Sequence, residues 1–345
     1  MTQPSPDEVS SESDADAPHG DGGAPPAGAA WPEVPGLVAR GLCMGSADVV
    51  PGVSGGTMAL VLGIYVRLVE AIRSIDARCA RLLLTGRLRA LSAHLHWRFL
   101  GAVACGQALG VVLFTKVVPL PVLLRTHPEP IYGLFFGLVA GSLVVLARPL
   151  LRDGVDAGLA GAGLAGLACG LAVVHTVPHE TPEAPWFVFL CGCISICAMI
   201  LPGISGSFVL LLLRKYALVL GAVGEVIHPA GEGGRLAPLL TVVLPFACGC
   251  VVGLLSFARF LGWLLRRAER ATLAFMTGLL AGSLWILWPF QARSYLLVRG
   301  KERLVSSSPL LPSFDASAAA VLALALGGAV GVLVLDRLAR LRRAA

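Results

Sequence analysis

Two short motifs of proline, glycine and hydroxyl-bearing residues interrupt an otherwise apolar sequence. One runs from Pro51 to Thr57 (Pro-Gly-Val-Ser-Gly-Gly-Thr), and the other runs from Pro202 to Ser207 (Pro-Gly-Ile-Ser-Gly-Ser). A helix that begins after such a break presents unpaired backbone N–H groups, which bind phosphate or carboxylate readily. The motifs therefore predict an anion site whose substrate-binding residues are Ser54, Gly55, Gly56, Thr57, Ser205, Gly206 and Ser207.

The repetition of the motif favours a binding site over simple packing. Small residues also let membrane helices approach closely, so packing is the alternative interpretation of either copy. The two copies are 151 residues apart, however, and a tyrosine follows each at the same distance, Tyr65 and Tyr216. Broken helices at corresponding positions of two halves are typical of transporter binding sites.

Charged residues inside the apolar segments are the second group of candidates. Asp48 precedes the first break by three residues. A carboxylate within a membrane segment is costly, so we predict that Asp48 couples transport to a proton or a sodium ion. The alternative is that it caps a helix or pairs with a basic residue. Four cations could capture a phosphate at the entrances or simply anchor helix ends: Lys116, Arg259, Arg214 and Lys215.

The composition predicts the elements that must position these residues. Of 345 residues, 56% are hydrophobic and 14% are charged. Soluble domains have about 25% charged residues, so the chain is predicted to be a multi-pass membrane protein. The predicted helical segments are 36–50, 52–72, 99–118, 131–148, 155–176, 186–201, 203–222, 238–264, 271–290 and 316–336. Because 36–72 is too short for two full spans, each Pro-Gly break is predicted to be the tip of a re-entrant hairpin.

The second half of the chain repeats the first. The tripeptide Ala-Cys-Gly at 104–106 recurs at 247–249, and the segments 137–142 and 278–283 match as well. Three spans follow each hairpin, and because three is odd, the second copy is predicted to enter the membrane upside down. The predicted fold is an all-α polytopic membrane protein with two inverted-topology repeats, each a Pro-Gly-broken re-entrant helical hairpin plus three transmembrane helices. The predicted domains are a disordered acidic tail (1–33) and transmembrane repeats 1 (34–177) and 2 (178–345).

The N-terminal tail differs in charge from the rest of the chain. Residues 1–33 hold seven of the 21 acidic residues and no Lys or Arg, so they are predicted to be disordered. The remainder has 27 basic against 14 acidic residues, an excess that suits an anionic membrane surface or an anionic substrate. Most of the nine cysteines lie in apolar segments without metal-ligand spacing. We therefore expect no metal site. No cofactor and no nucleic-acid partner are predicted either.

Lysine and arginine in the loops predict the orientation. The connection 73–98 contains six arginines and is predicted to be cytoplasmic, as are both termini. The loops 119–130, 177–185 and 223–237 are poorer in cations and are predicted to face outward. The segment 291–303 runs against this rule, because it has four cations on the predicted outer side.

The motifs resemble the two signatures of a known family. Residues 44–57, with Gly63-Ile64-Tyr65 behind them, are similar to the first signature of the PopT-type bacterial undecaprenyl-phosphate translocases, and residues 201–207 resemble the second. The resemblance covers residues 36–340. It implies an inner-membrane protein that returns a polyprenyl-phosphate lipid from the outer to the inner leaflet for cell-wall synthesis, with the phosphate bound by both motifs. Where a glycine is expected before the second tyrosine, the chain has Arg214-Lys215-Tyr216.

Two other functions are compatible with the residues alone. A secondary transporter or channel for a small soluble anion would use the same half-helix geometry. A membrane enzyme acting on lipid phosphates is the third interpretation. It is the weakest, because the spans lack a Ser/His/Asp set or a His-centred phosphatase arrangement. No catalytic residue is predicted.

Overall fold

The computed structural model describes residues 31–49, 54–118, 120–176, 181–227, 236–298, 301–312 and 315–344. The predicted tail up to residue 30 lies outside the described residues, and so does the first Pro-Gly break, Pro51 and Gly52. The second break, Pro202 and Gly203, is described in full.

The described chain is almost entirely helical. The helices of the first half are α1 (Val34–Asp48), α2 (Gly55–Val61), α3 (Tyr65–Arg73), α4 (Ala77–Leu84), α5 (Leu88–His94), α6 (Trp97–Val112), α7 (Leu120–Thr126), α8 (Pro128–Arg152) and α9 (Ala157–His175). Those of the second half are α10 (Pro185–Ile200), α11 (Gly206–Leu212), α12 (Tyr216–Ile227), α13 (Leu236–Pro238), α14 (Leu244–Arg267), α15 (Glu269–Leu287) and α16 (Ala316–Ala344). Short π-helical segments extend α6 to Val117 and join α13 to α14.

The predicted multi-span membrane architecture is confirmed. Among the described residues, six helices are long and apolar enough to cross a membrane: Trp97–Val117, Pro128–Arg152, Ala157–His175, Leu236–Arg267, Glu269–Leu287 and Ala316–Val334. By contrast, α1 has 15 residues and α10 has 16. At a rise of 1.5 Å per residue they are about 23 Å long, shorter than a hydrocarbon core of about 30 Å. That length suits the predicted re-entrant hairpins.

Each helix that follows a break ends in a sharp bend. The axes of α2 and α3 are bent by 117°, and those of α11 and α12 by 109°. The prediction of continuous helices over 52–72 and 203–222 is therefore wrong, because Tyr65 and Tyr216 each begin a new helix.

The bends have the same local cause in both halves. The N–H of Ile64 donates to a carbonyl five residues back, and the N–H of Lys215 does the same. This is the Schellman ending of a helix, which needs one residue in the left-handed conformation. That residue is Gly63 in the first half (φ 69°) and Arg214 in the second (φ 55°). Arg214 therefore adopts a conformation that glycine takes more easily.

The two halves make equivalent helix contacts. α1 packs on α6, and α10 packs on α14. Gly106 lies so close to the carbonyl of Val38 that no Cβ fits there, and Gly249 lies in the same way against Phe189. These residues correspond between the halves, so the duplication of sequence is also a duplication of contacts. The last helix of each half packs on the other half: α16 packs on α8 of the first half, and α9 packs on α15 of the second.

The connection between α15 and α16 contains a β-hairpin that the sequence analysis did not predict. Strands β1 (Gln291–Val298) and β2 (Lys301–Pro309) pair antiparallel. Of the four cations that contradict the orientation rule, Arg293, Lys301 and Arg303 lie on these paired strands, and Arg299 lies outside the described residues. Strand pairing gives the three described residues a structural role that loop composition alone does not reveal.

The core lies where the hairpins meet the spans. Leu37, Tyr65, Phe99, Leu261 and Met276 are almost completely buried and belong to one cluster that joins α1, α3, α6, α14 and α15. The outer faces of the spans expose large apolar side chains instead. A lipid bilayer would cover such faces, because lipid removes the cost of exposing them to water.

Candidate functional site

The tips of the two hairpins touch each other. We call residues 54–57 the first elbow and residues 199–207 the second elbow. The hydroxyl of Ser54 donates to the carbonyl of Met199 at 3.0 Å, and the N–H of Gly203 donates to the hydroxyl oxygen of Thr57 at 2.9 Å. The two motifs, 151 residues apart in sequence, thus form one site between the halves.

In the first half of the chain, nearby side chains accept hydrogen bonds from the N–H groups at the start of α2. Ser54 is the N-cap of α2, and its hydroxyl oxygen accepts from the N–H of Gly56 at 3.1 Å. The N–H of Gly55 donates to a carboxylate oxygen of Asp48 at 2.7 Å. The expectation that the amides of Gly55 and Gly56 are free is wrong, because the chain supplies the acceptors for both.

Asp48 is held by two neighbours. Besides the N–H of Gly55, the side-chain amide of Gln107 on α6 donates to its other carboxylate oxygen at 2.6 Å. Asp48 forms no ion pair with a basic residue among the described residues. Its carboxylate therefore lies where an anion would approach the N-terminus of α2, and it accepts from the first N–H group of that helix as a capping residue does.

The second elbow lacks this internal anion. Met199 stands at the position equivalent to Asp48, and Cys250 stands at that of Gln107. Ser205 does not cap α11 with its side chain; its hydroxyl lies 2.8 Å from that of Ser207. Within the described chain, the N–H groups of Gly206 and Ser207 have no hydrogen-bond acceptor. The donors predicted for both elbows are thus free in the second elbow only.

The glycines of the elbows provide close packing. A Cβ on Gly56 would lie 2.6 Å from the carbonyl oxygen of Ile200, and a Cβ on Gly206 would lie 2.7 Å from that of Ser195. The packing interpretation is therefore right for these two residues. Packing and polar contacts coexist here, because the small side chains bring hydroxyl and backbone groups of the two halves within hydrogen-bond distance.

The space beside the second elbow is small. A cavity of about 10 Å³ is bordered by Gly203, Ile204 and Ser205 of the second elbow, by Phe208 of α11 and by residues of α9 and α15. That volume holds about one water molecule. A larger apolar groove of about 510 Å³ lies between α8, α9 and α15 and includes Trp285 and Leu311, but no elbow residue lines it.

The four predicted capture cations do not gather at the elbows. Lys215 is 2% exposed, and its ammonium donates to the carbonyl of Thr181 at 2.8 Å, so it fastens the α11–α12 bend to the segment before α10. Arg214 lies at the bend itself. Lys116 is exposed on the π-helical end of α6. Arg259 on α14 donates to the carbonyls of Leu255 and Ile75.

Comparisons with known proteins agree with the motifs. Residues 44–305 match the model of the VCA0040-like family, described as undecaprenyl phosphate translocase-like. The chain belongs to this family. A polyprenyl-phosphate transporter of Vibrio cholerae serotype O1 is 40% identical over 73% of this chain and 77% of that protein. A polyprenyl-phosphate transporter of Staphylococcus aureus is 28% identical over 73% of this chain and 85% of its own length. No solved structure matches.

The family match covers both elbows and the residues around them that sequence reasoning missed. The hydroxyl of Tyr65 donates to the carbonyl of Ile200 at 3.2 Å, and that of Ser195 donates to the carbonyl of Gly206 at 2.9 Å. Gln107 holds Asp48. A polar residue in the middle of an apolar span is the signal that points to Gln107 and Ser195. Tyr216 is 39% exposed and does not repeat the role of Tyr65.

Proposed function

We propose that this protein moves a polyprenyl phosphate, undecaprenyl phosphate in particular, from the outer to the inner leaflet of the bacterial cytoplasmic membrane. Membership of the undecaprenyl phosphate translocase-like family supports this function. The structural observation that carries it is the contact of the two elbows between the halves. A single polar site shared by two broken hairpins suits transport, because motion of one half against the other exposes it to either side. We further propose that both termini are cytoplasmic.

The second elbow is the proposed phosphate-binding half of the site. It offers the N–H groups of Gly206 and Ser207 together with the paired hydroxyls of Ser205 and Ser207. Hydrogen bonds from such groups to an ionised phosphate are stronger than those between neutral groups. The isoprenoid chain needs no polar site and stays in the lipid beside the protein, where apolar helix faces are exposed.

The first elbow is the proposed switch. Asp48 already occupies the anion position at the start of α2, so its negative charge repels a phosphate that approaches Gly55 and Thr57. Binding of a proton or a sodium ion to Asp48 would remove that charge. The Gly55 N–H, which now donates to Asp48, would then be available to the same phosphate. This is how an ion gradient would drive the transfer.

Binding requires the site to open. The cavity of about 10 Å³ beside Ser205 takes about one water molecule, and a phosphate group is several times larger. The second elbow must therefore separate from α9 and α15, or from the first elbow, before the lipid headgroup enters. The structure is a closed state of the proposed transport cycle.

Reconstituted transport tests this function. The purified protein is placed in proteoliposomes that contain labelled polyprenyl phosphate in one leaflet, and the label that reaches the other leaflet is measured. We expect transfer of the lipid and no uptake of labelled inorganic phosphate. Uptake of the soluble anion without lipid transfer would support the anion-transporter alternative. Release of inorganic phosphate from the lipid would instead support an enzyme.

A further inference from the structure

Three arginines meet where α3 packs on α14, away from the elbows. Arg259, Gly262 and Arg266 share one face of α14, since they are separated by three and four residues. Arg73 at the end of α3 lies across Gly262, where a Cβ would contact its side chain, 2.9 Å from Nε and 3.0 Å from Nη1. Arg73 is therefore seated between Arg259 and Arg266.

These arginines have no carboxylate partner within hydrogen-bond distance among the described residues. The Nε of Arg73 is buried and has no acceptor. Arg259 uses two of its nitrogens on carbonyl groups, one of them the carbonyl of Ile75 just beyond α3. Glu70 is the acidic residue near Arg73, and it forms no ion pair with any of the three within the described chain. The three arginines contribute three positive charges and Glu70 contributes one negative charge, which leaves a net charge of about +2.

The surroundings indicate a lipid rather than a soluble ligand. Phe260 and Trp263 lie on α14 beside the arginines and are 52% and 51% exposed. Their rings stack at 6.1 Å. Aromatic side chains of this kind mark the level of the lipid headgroups on a membrane span. Basic pockets between membrane helices at this level bind phosphorylated headgroups.

We propose that Arg73, Arg259 and Arg266 form a binding site for the phosphomonoester headgroup of a membrane lipid. A phosphomonoester has a charge of about −1.5 to −2 at neutral pH, which matches the net charge of the group. A phosphodiester has a single negative charge and matches it less well. Guanidinium groups bind phosphate oxygens in pairs. The Nε of Arg73 has no acceptor among the described residues, so the hydrogen-bonding capacity of this guanidinium is not used up within the protein. A polyprenyl phosphate is one lipid of this class, but the site does not depend on the proposed transport function.

Lipid binding measured by native mass spectrometry tests the proposal. The full chain is titrated with phosphatidic acid, a phosphomonoester, and with phosphatidylglycerol, a phosphodiester, with inorganic phosphate as a third probe. The titrations use a Ser205→Leu background, so that lipid held at the second elbow is not counted. We expect phosphatidic acid to bind about tenfold more tightly than phosphatidylglycerol, and inorganic phosphate to compete poorly.

Three variants and one control locate the site. Arg73→Gln and Arg266→Gln are each expected to weaken phosphatidic acid binding about tenfold. Gly262→Ala should weaken it as well, because it displaces Arg73 without changing any charge, and this variant decides the question if Arg73→Gln does not fold. Arg267→Gln removes a neighbouring exposed charge and should bind normally. An equal loss in Arg267→Gln, equal binding of the two lipids, or equally tight binding of inorganic phosphate would each overturn the proposal.

Discussion

Ser205 and Ser54 occupy equivalent positions in the two halves but have different partners. Ser54 caps α2 and donates to the end of α10, so it already takes part in the structure. Within the described part of the chain, the Ser205 hydroxyl pairs with that of Ser207, beside free N–H groups. Mutation of each serine should therefore have a different effect: Ser54 stabilises the fold, whereas Ser205 is available to a ligand.

We expect Ser205→Ala to lower polyprenyl phosphate transfer at least about tenfold, since it removes a hydrogen bond to a charged headgroup. Its melting temperature should stay close to that of the unchanged protein. Ser54→Ala is the matched variant and should cost about 1–2 kcal/mol of stability through loss of the cap and of the bond to Met199. Transfer in proteoliposomes and thermal unfolding in detergent measure both effects. Normal transfer by Ser205→Ala would contradict binding at the second elbow.

Asp48 offers a second test at the scale of one residue. Asp48→Asn keeps an acceptor for the N–H of Gly55 but removes the charge and the ability to bind a proton or a cation. We expect lipid transfer by this variant to be unaffected by an imposed proton or sodium gradient, whereas the unchanged protein should respond to one of them. Gln107→Leu is the control, because it removes a partner of Asp48 without removing the charge. A gradient response that survives in Asp48→Asn would end the coupling role.

At the scale of the helices, the bends after α2 and α11 show how far local sequence predicts geometry. Gly63 before Tyr65 is a visible signal for a helix ending, yet Arg214 occupies the same left-handed position without that signal. We expect Gly63→Ala to destabilise the protein by about 1 kcal/mol, because a side chain is strained at this φ. Gly101→Ala on α6 is the control, where a Cβ meets nothing within 4 Å and the change should be neutral or stabilising. Equal melting temperatures for the two variants would contradict the strain argument.

The short helices between α3 and α6 should respond to acid. Asp76 caps α4, and the N–H of Cys79 together with the ring of His94 lowers the pKa of its carboxyl group. A lowered pKa in the folded state stabilises this segment above the ordinary pKa of about 4, and that stabilisation is lost as the pH falls further. Hydrogen exchange of residues 74–96, corrected for its intrinsic pH dependence, should therefore rise below about pH 4. Asp76→Asn should show the faster exchange already at neutral pH; unchanged protection in that variant would contradict the role of Asp76.

At the scale of the whole molecule, the sequence predicted the helices and the motifs better than the contacts between them. The apolar segments and the Pro-Gly repeats gave the spans and the elbow residues, because burial and helix breaking act locally. The Asp48 carboxylate, which accepts from the N-terminus of α2, is also held by Gln107, a residue 59 positions later in the chain. The spacing of residues in the sequence could not predict that contact. The burial of Lys215 and the seating of Arg73 on Gly262 also depend on tertiary contacts.

The inverted relation of the two repeats is the prediction that concerns the molecule as a whole. The loop between α8 and α9 corresponds to the connection between α15 and α16, so inversion requires the two to lie on opposite sides of the membrane. Val155 and Leu311 are exposed in these connections, at 53% and 92%. In a chain whose native cysteines are replaced, Val155→Cys should react with an impermeant maleimide only when the cytoplasmic side is opened. Leu311→Cys should react on intact cells, despite the cations of the neighbouring hairpin. Labelling of both positions from the same side would exclude inverted repeats and, with them, the alternating exposure of the shared elbow site.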